Sequence, residues 1–332
     1  MARTTRTRRR GTATAVLLAA AVTASLMAGC TTGDRPSDDG RGQTRSRSQE
    51  PGPSERQAPT SAGPVLAVKI DNVRAARPQT GLEAADIVYA EQVEGGLSRL
   101  MAVYATRLPE AVGPVRSARE SDLELLRQFD EPTLAFSGAQ GRLLPLIDRA
   151  PLNAESPESA ASGAYYRGAG RAAPHNLYLR PERLIGAAPG ADALTTGFRY
   201  GAAPEGGTPA KSRTVRFPAA RFTFTWSADR HGWLVSMDGT PTITTDGERI
   251  AAPTVVVQYV KVRESRFHDV LGNNSPYTQT VGSGRAQVLR DGRVFEVEWQ
   301  RGSATDGTDF TTADGTPVNL AKGQVWVVYA TA

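Results

Sequence analysis

Residues 65–104 read VLAVKIDNVRAARPQTGLEAADIVYAEQVEGGLSRLMAVY, and the spacing of apolar runs in this stretch decides the fold class. An apolar run of strand length at 65–70 stops at Asp71-Asn72, a second lies at 87–90, and a third at 97–104. Three such runs joined by polar loops predict a central sheet. Further on, 117–129 (SARESDLELLRQF) carries Leu123, Leu126 and Phe129 at helical spacing, behind an acid-rich first turn that complements a helix dipole. It predicts an amphipathic helix. Residues 133–136 predict another strand, and 142–149 a short helix limited by Pro145.

Past a Pro/Gly/Ala-rich patch at 186–209 the pattern changes. Short runs at 222–226, 231–237, 254–260, 286–289, 294–299 and 324–329 alternate with Asp-Gly pairs at 238–239, 246–247, 291–292 and 314–315. Asp-Gly between apolar runs is turn chemistry for antiparallel hairpins. The expected fold is therefore α+β: a mixed-sheet N-terminal domain with helices over 64–205, then a mostly antiparallel, β-rich C-terminal domain over 206–332. No sequence repeat of fixed period accompanies the strands.

The start of the chain is of another kind. Arg3, Arg6, Arg8, Arg9 and Arg10 precede an apolar stretch at 13–28, and Leu26-Met27-Ala28-Gly29 leads into Cys30, the one cysteine of 332 residues. That is the layout of a lipoprotein signal over 1–29, cut in front of a diacylglyceryl-cysteine, with the product on the outer face of a bacterial cytoplasmic membrane. A transmembrane anchor would need about 20 apolar residues and finds fewer. Arg9-Arg10 leaves general and twin-arginine export both open. Residues 31–63 hold no Val, Ile, Leu, Phe, Trp or Tyr and read as a tether, with a reach on the order of 30 Å.

The formal charge of +5 misleads, because the five arginines of 1–29 leave with the signal. What remains holds 34 basic and 34 acidic residues. No overall field favours nucleic acid. With no second cysteine the body has no disulfide.

Three polar constellations fall at the ends of the apolar runs: Asp71-Asn72 with Arg77 and Gln79; Glu91 and Glu94 beside Gly95-Gly96 and Arg99; and 113–119 (GPVRSAR), where Ser117 is placed to cap the expected helix between Arg116 and Arg119. Arginine suits phosphate or carboxylate because its fork binds two oxygens. Taken singly, each arginine equally fits an ordinary salt bridge, Arg99 with Asp86 or Glu91 and Arg116 with Glu94. His175, between Pro174 and Asn176, is a candidate general acid/base, or a plain donor to a backbone carbonyl. His231 and His268 have no comparable setting, and Ser137 at a strand end reads as structural. Nothing indicates a cofactor, and with no HExxH or paired cysteines no metal site is expected.

Together these residues suggest a lipid-anchored binder of an anionic envelope component, a phosphorylated glycan, a pyrophosphate lipid or a peptide. Arg77, Arg99, Arg116 and Arg119 would contact it, with Asn72, Gln79, Glu94, Ser117 and Asn176 around them. The alternative is an envelope phosphotransferase or hydrolase using Asp71, Glu91 and His175. A third reading is an assembly or regulatory factor without a small ligand.

In order and spacing, VKIDNVRAARPQTGL, ADIVYAEQVEGGLSR, GPVRSAR and APHNLY resemble the two-domain YerB-like bacterial lipoproteins (DUF3048). The segments VVVQYVKVRE, GSGRAQVLRDGRVFEVEW and KGQVWVVY resemble that family's second domain. The resemblance implies the fold, the two domains and the envelope location. It implies no activity.

Overall fold

The computed structural model describes residues 63–269 and 272–332. The signal, Cys30 and the tether up to residue 62 lie outside the described residues.

The three runs of 65–104 form strands β1 (Leu66–Asp71), β2 (Ile87–Gln92) and β3 (Ser98–Tyr104). β3 lies between the other two and is antiparallel to both. After the helix α1 (Glu120–Leu126), the short strands β4 (Thr133–Ala135) and β5 (Asn153–Glu155) extend the sheet in parallel beyond β1. On the far side of β2 the sheet continues with Val325–Thr331 and Thr254–Val260, both parallel to β2, and then with the antiparallel strands Gly282–Arg290, Arg293–Arg301 and Asp309–Thr311. The segments 64–205 and 206–332 thus share one mixed sheet. Asp291-Gly292, both at positive φ, make the tight hairpin turn the sequence predicts there.

Both faces of this sheet are covered, which is why β1 is buried along its whole length. On one face Leu66, Val68, Ile70, Val88, Leu100, Ala102, Val255, Trp326 and Val328 pack against a smaller antiparallel sheet through Val215, Phe222, Phe224, Trp233 and Val235. Trp326 meets the rings of Phe222 and Phe224, each at 6.3 Å. On the other face Ala67, Ile87, Tyr89, Met101, Val103, Val256 and Val327 pack under Leu125, Leu126 and Phe129 of α1 and its continuation. Burying a side chain of this size stabilises by about 1.5–3 kcal/mol, so two apolar layers hold the body without a disulfide.

Alternation along β1 to β3 sends Lys69, Asp71, Glu91 and Arg99 to the α1 face. Asp71 and Glu91 each lie opposite Arg99 in register. Four charges therefore meet where α1 crosses the strand ends.

The helix expected from Ser117 begins only at Glu120. The backbone before it is already committed: Arg116 N donates to Lys69 O at 2.7 Å, Ser137 N to Arg116 O at 3.0 Å, and Ala118 N to Gly138 O at 3.0 Å. Ser117 caps nothing; its hydroxyl lies 3.4 Å from that of Ser137. At the other end Arg301, 1% exposed, donates to the Glu124 and Leu125 carbonyls at 3.1 and 3.3 Å, closing the last turn of α1.

Candidate functional site

Under α1 lies a closed ionic layer. Lys69 is fully buried, pairs with Asp122 at 2.6 Å and contacts Glu91; Ser121 donates to Glu91 at 3.0 Å. Asp122 also accepts from Arg119 N at 2.7 Å. Burial lowers the Lys69 ammonium to about 8 against the support of Asp122, so it stays charged at neutral pH. Every charge in this layer has a partner.

Beside it opens a cleft of about 720 Å³, lined among others by Asp71, Glu94, Leu97, Arg99, Arg116 and Arg119. The turn joining β2 to β3 places its rim. Gly95 and Gly96 both sit at positive φ, and a side chain on Gly96 would strike Pro218, so glycine there lets the chain fold back tightly over Glu94.

The three cleft arginines differ in their pairing. Arg119 forks onto Glu94 at 2.6 and 2.7 Å. Burial alone would raise Glu94, but hydrogen bonds from Arg119 and Ser275, with the Arg119 charge, bring its carboxyl below the ordinary range. Arg116 pairs through Nε with Asp71 Oδ2 at 3.3 Å, not with Glu94, and keeps 26% of its side chain exposed. Arg99 has no carboxylate ion pair among the described residues; one hydrogen bond, 3.1 Å, goes to the Ser117 carbonyl. Arg119 also donates to that carbonyl, at 3.3 Å, so the two guanidinium groups meet at one oxygen. Burial first, then the Arg119 charge, lowers Arg99 to about 9. A guanidinium keeps its proton at neutral pH; the Glu94 and Asp71 charges support it through space, but neither carboxylate is in ion-pair contact with it.

Asp71, 1% exposed, also contacts His175: Nδ1 of the imidazole lies 2.8 Å from Oδ2. Asp71 and Pro174 line the cleft, and His175 stands behind them without lining it. Among the described residues, no group of three or more His, Cys, Asp or Glu side chains gathers as a metal site.

The family description "Protein of unknown function (DUF3048) N-terminal domain" matches residues 52–194, and its C-terminal counterpart matches 213–327. The chain belongs to the DUF3048 family. It is 24% identical over 278 residues to "Putative lipoprotein YerB" of Bacillus subtilis (strain 168), covering 79% of this chain and 80% of that protein. The crystal structure of YerB protein from Bacillus subtilis has the same fold, with a TM-score of 0.68 at 19% identity over 81% of this chain and 91% of that one.

In this DUF3048 chain the cleft is built from both matched parts, because Phe267, His268, Asp269 and Ser275 of the second line it too. They come from a hairpin of Val262–His268 with Asn274–Thr278 that the sequence reading missed. Ser265 of this hairpin bonds Glu120, Ser275 contacts Glu94, and Tyr277 bonds Glu124 at 2.6 Å. Its strands are mostly polar, so apolar alternation gives no signal; the one hint was the pair His268-Asp269.

Other candidates lie elsewhere. Arg77 faces the smaller sheet, where it pairs with Asp238 at 2.8 Å and bonds Met237 O and Asn72. Asn72 turns away from its neighbour Asp71 to join Arg77, Gln79 and Ser98, and Gln79 is buried in that network. Asn176 brackets the Tyr165–Arg167/Leu177–Leu179 hairpin, accepting from Arg167 at 2.8 Å and donating to Gly168 O at 3.1 Å. Glu91 belongs to the buried layer with Lys69.

Proposed function

We propose that this protein is a lipid-anchored envelope protein, held by a diacylglyceryl group on Cys30, whose cleft captures an anionic component of the cell envelope. The carrying observation is Arg99, a largely enclosed guanidinium facing the cleft without a carboxylate partner. An incoming anion supplies the direct ionic contact that Arg99 lacks, and the partly exposed Arg116 beside it supplies a second fork. Arg119, already spent on Glu94, holds the site in shape. The lipoprotein name of its Bacillus subtilis relative supports the anchoring. Titration of the full-length chain with inorganic pyrophosphate in a calorimeter tests the reading. One saturable site that weakens with salt is expected, and Arg99→Met should reduce its affinity at least tenfold; equal affinity in both proteins would overturn it.

The contact between Asp71 and His175 favours a second reading, a transferase or hydrolase. A buried carboxylate that fixes Nδ1 orients the imidazole and leaves Nε2 to carry protons, as in other His–Asp pairs. In hydrolysis of a pyrophosphate, Nε2 would take a proton from water as the water oxygen bonds phosphorus and the bridging P–O bond breaks. Phosphate release from farnesyl pyrophosphate by the full-length chain, abolished in His175→Asn, is the expected result; an unchanged rate in the variant clears His175.

A further inference from the structure

Among the described residues four large apolar side chains are more than a third exposed: Leu97, Leu144, Tyr200 and Ile243. One of them, Leu97 at 39%, lines the cleft, and Leu144 directly follows Leu143, which lines it too. Leu97 is not loose. Its carbonyl accepts from Val93 N at 2.9 Å and its own N–H donates to Glu94 O at 3.3 Å, so the turn that holds Glu94 against Arg119 also holds Leu97 out. Val73, Val93, Leu143 and Phe267 continue the apolar wall. Guanidinium groups and an apolar wall thus share one cavity, beside a cation that lacks a carboxylate.

Neither half makes sense of the other alone. A small inorganic anion would satisfy Arg99 and leave Leu97 in water; a neutral hydrocarbon would cover Leu97 and strand Arg99 with less solvent than before. Resting on the anion reading above, we propose that the cleft takes an amphiphilic anion. Its phosphate head sits on Arg99 and Arg116, and its hydrocarbon chain runs along Leu97, Leu143 and Phe267. A lipid-linked phosphate and a soluble alkyl phosphate share this chemistry.

The test titrates the full-length chain with n-hexyl phosphate, inorganic phosphate and n-hexanol. Each buried methylene contributes about fourfold in affinity, so hexyl phosphate should bind more than about tenfold tighter than phosphate once two or more are covered. Leu97→Asn should close most of that gap, whereas Leu144→Asn, next to the cleft but not lining it, should leave the gap as in the wild type. Hexanol should bind far more weakly than hexyl phosphate. Vesicles carrying farnesyl phosphate, compared with vesicles lacking it, separate the lipid source from the soluble one: stronger capture by the former, the Cys30 anchor acting equally on both, assigns a membrane ligand, and equal capture together with binding of hexyl phosphate assigns a soluble one. Hexyl phosphate and phosphate of equal affinity would overturn the amphiphile and keep the anion. No binding of any phosphate would sink the anion reading itself.

Discussion

Lys69 and Arg99 sit on neighbouring strands and on the same face of one sheet, yet they belong to opposite kinds of site. Lys69 is sealed under α1 between Asp122 and Glu91. Arg99, at the strand end where α1 no longer covers the sheet, touches a carbonyl and opens onto the cleft. A charge with a full set of partners organises the fold, whereas one left short of a partner is available for a ligand. Arg119 and Arg116 grade between these extremes, the first forked onto Glu94 and the second loosely paired with Asp71.

If the comparison is right, the largest effect belongs to the closed layer. Lys69→Met removes the shared partner of two buried carboxylates, and leaving such charges uncompensated costs about 3–5 kcal/mol. Denaturant unfolding of the full-length chain should show a loss of that size; a loss below about 1 kcal/mol would mean that the layer is better solvated than its burial indicates. A smaller effect belongs to the rim. Glu94 is held below the ordinary carboxylate range in the folded chain, so its contribution is complete above the unfolded value and disappears as pH falls through the folded one. Melting temperatures should therefore drop more steeply on acidification in the wild type than in Glu94→Gln. Parallel curves would remove Glu94 from the acid limb.

Much of this architecture could be read from the sequence because it rests on local patterns. The run at 65–70 is apolar but for Lys69 because both faces of β1 are covered, and the Asp-Gly pairs mark turns because they tolerate positive φ. The sequence groups Arg77 with Arg99, Arg116 and Arg119, since strand ends bring loop residues to one rim, but only the last three share the cleft while Arg77 turns to the smaller sheet. Their pairing was not legible. Whether Arg116 meets Glu94 or Asp71 depends on how the extended segment before α1 lies along β1, and that segment also delayed the helix past Ser117. Asp71 and Asn72 look equivalent in sequence, but Asn72 turns toward Arg77 and Gln79 while Asp71 faces the cleft. The mostly polar hairpin that carries Phe267 and His268 gives no periodic signal and reaches the cleft only through tertiary packing.

The central claim, that Arg99 is held for a ligand and not for the fold, is tested most directly by melting the full-length chain and Arg99→Met with and without inorganic pyrophosphate. The account predicts that the variant melts within a few degrees of the wild type or above it, and that the anion raises the wild-type midpoint alone. A variant that melts far lower, yet is still raised by pyrophosphate as much as the wild type, would contradict it.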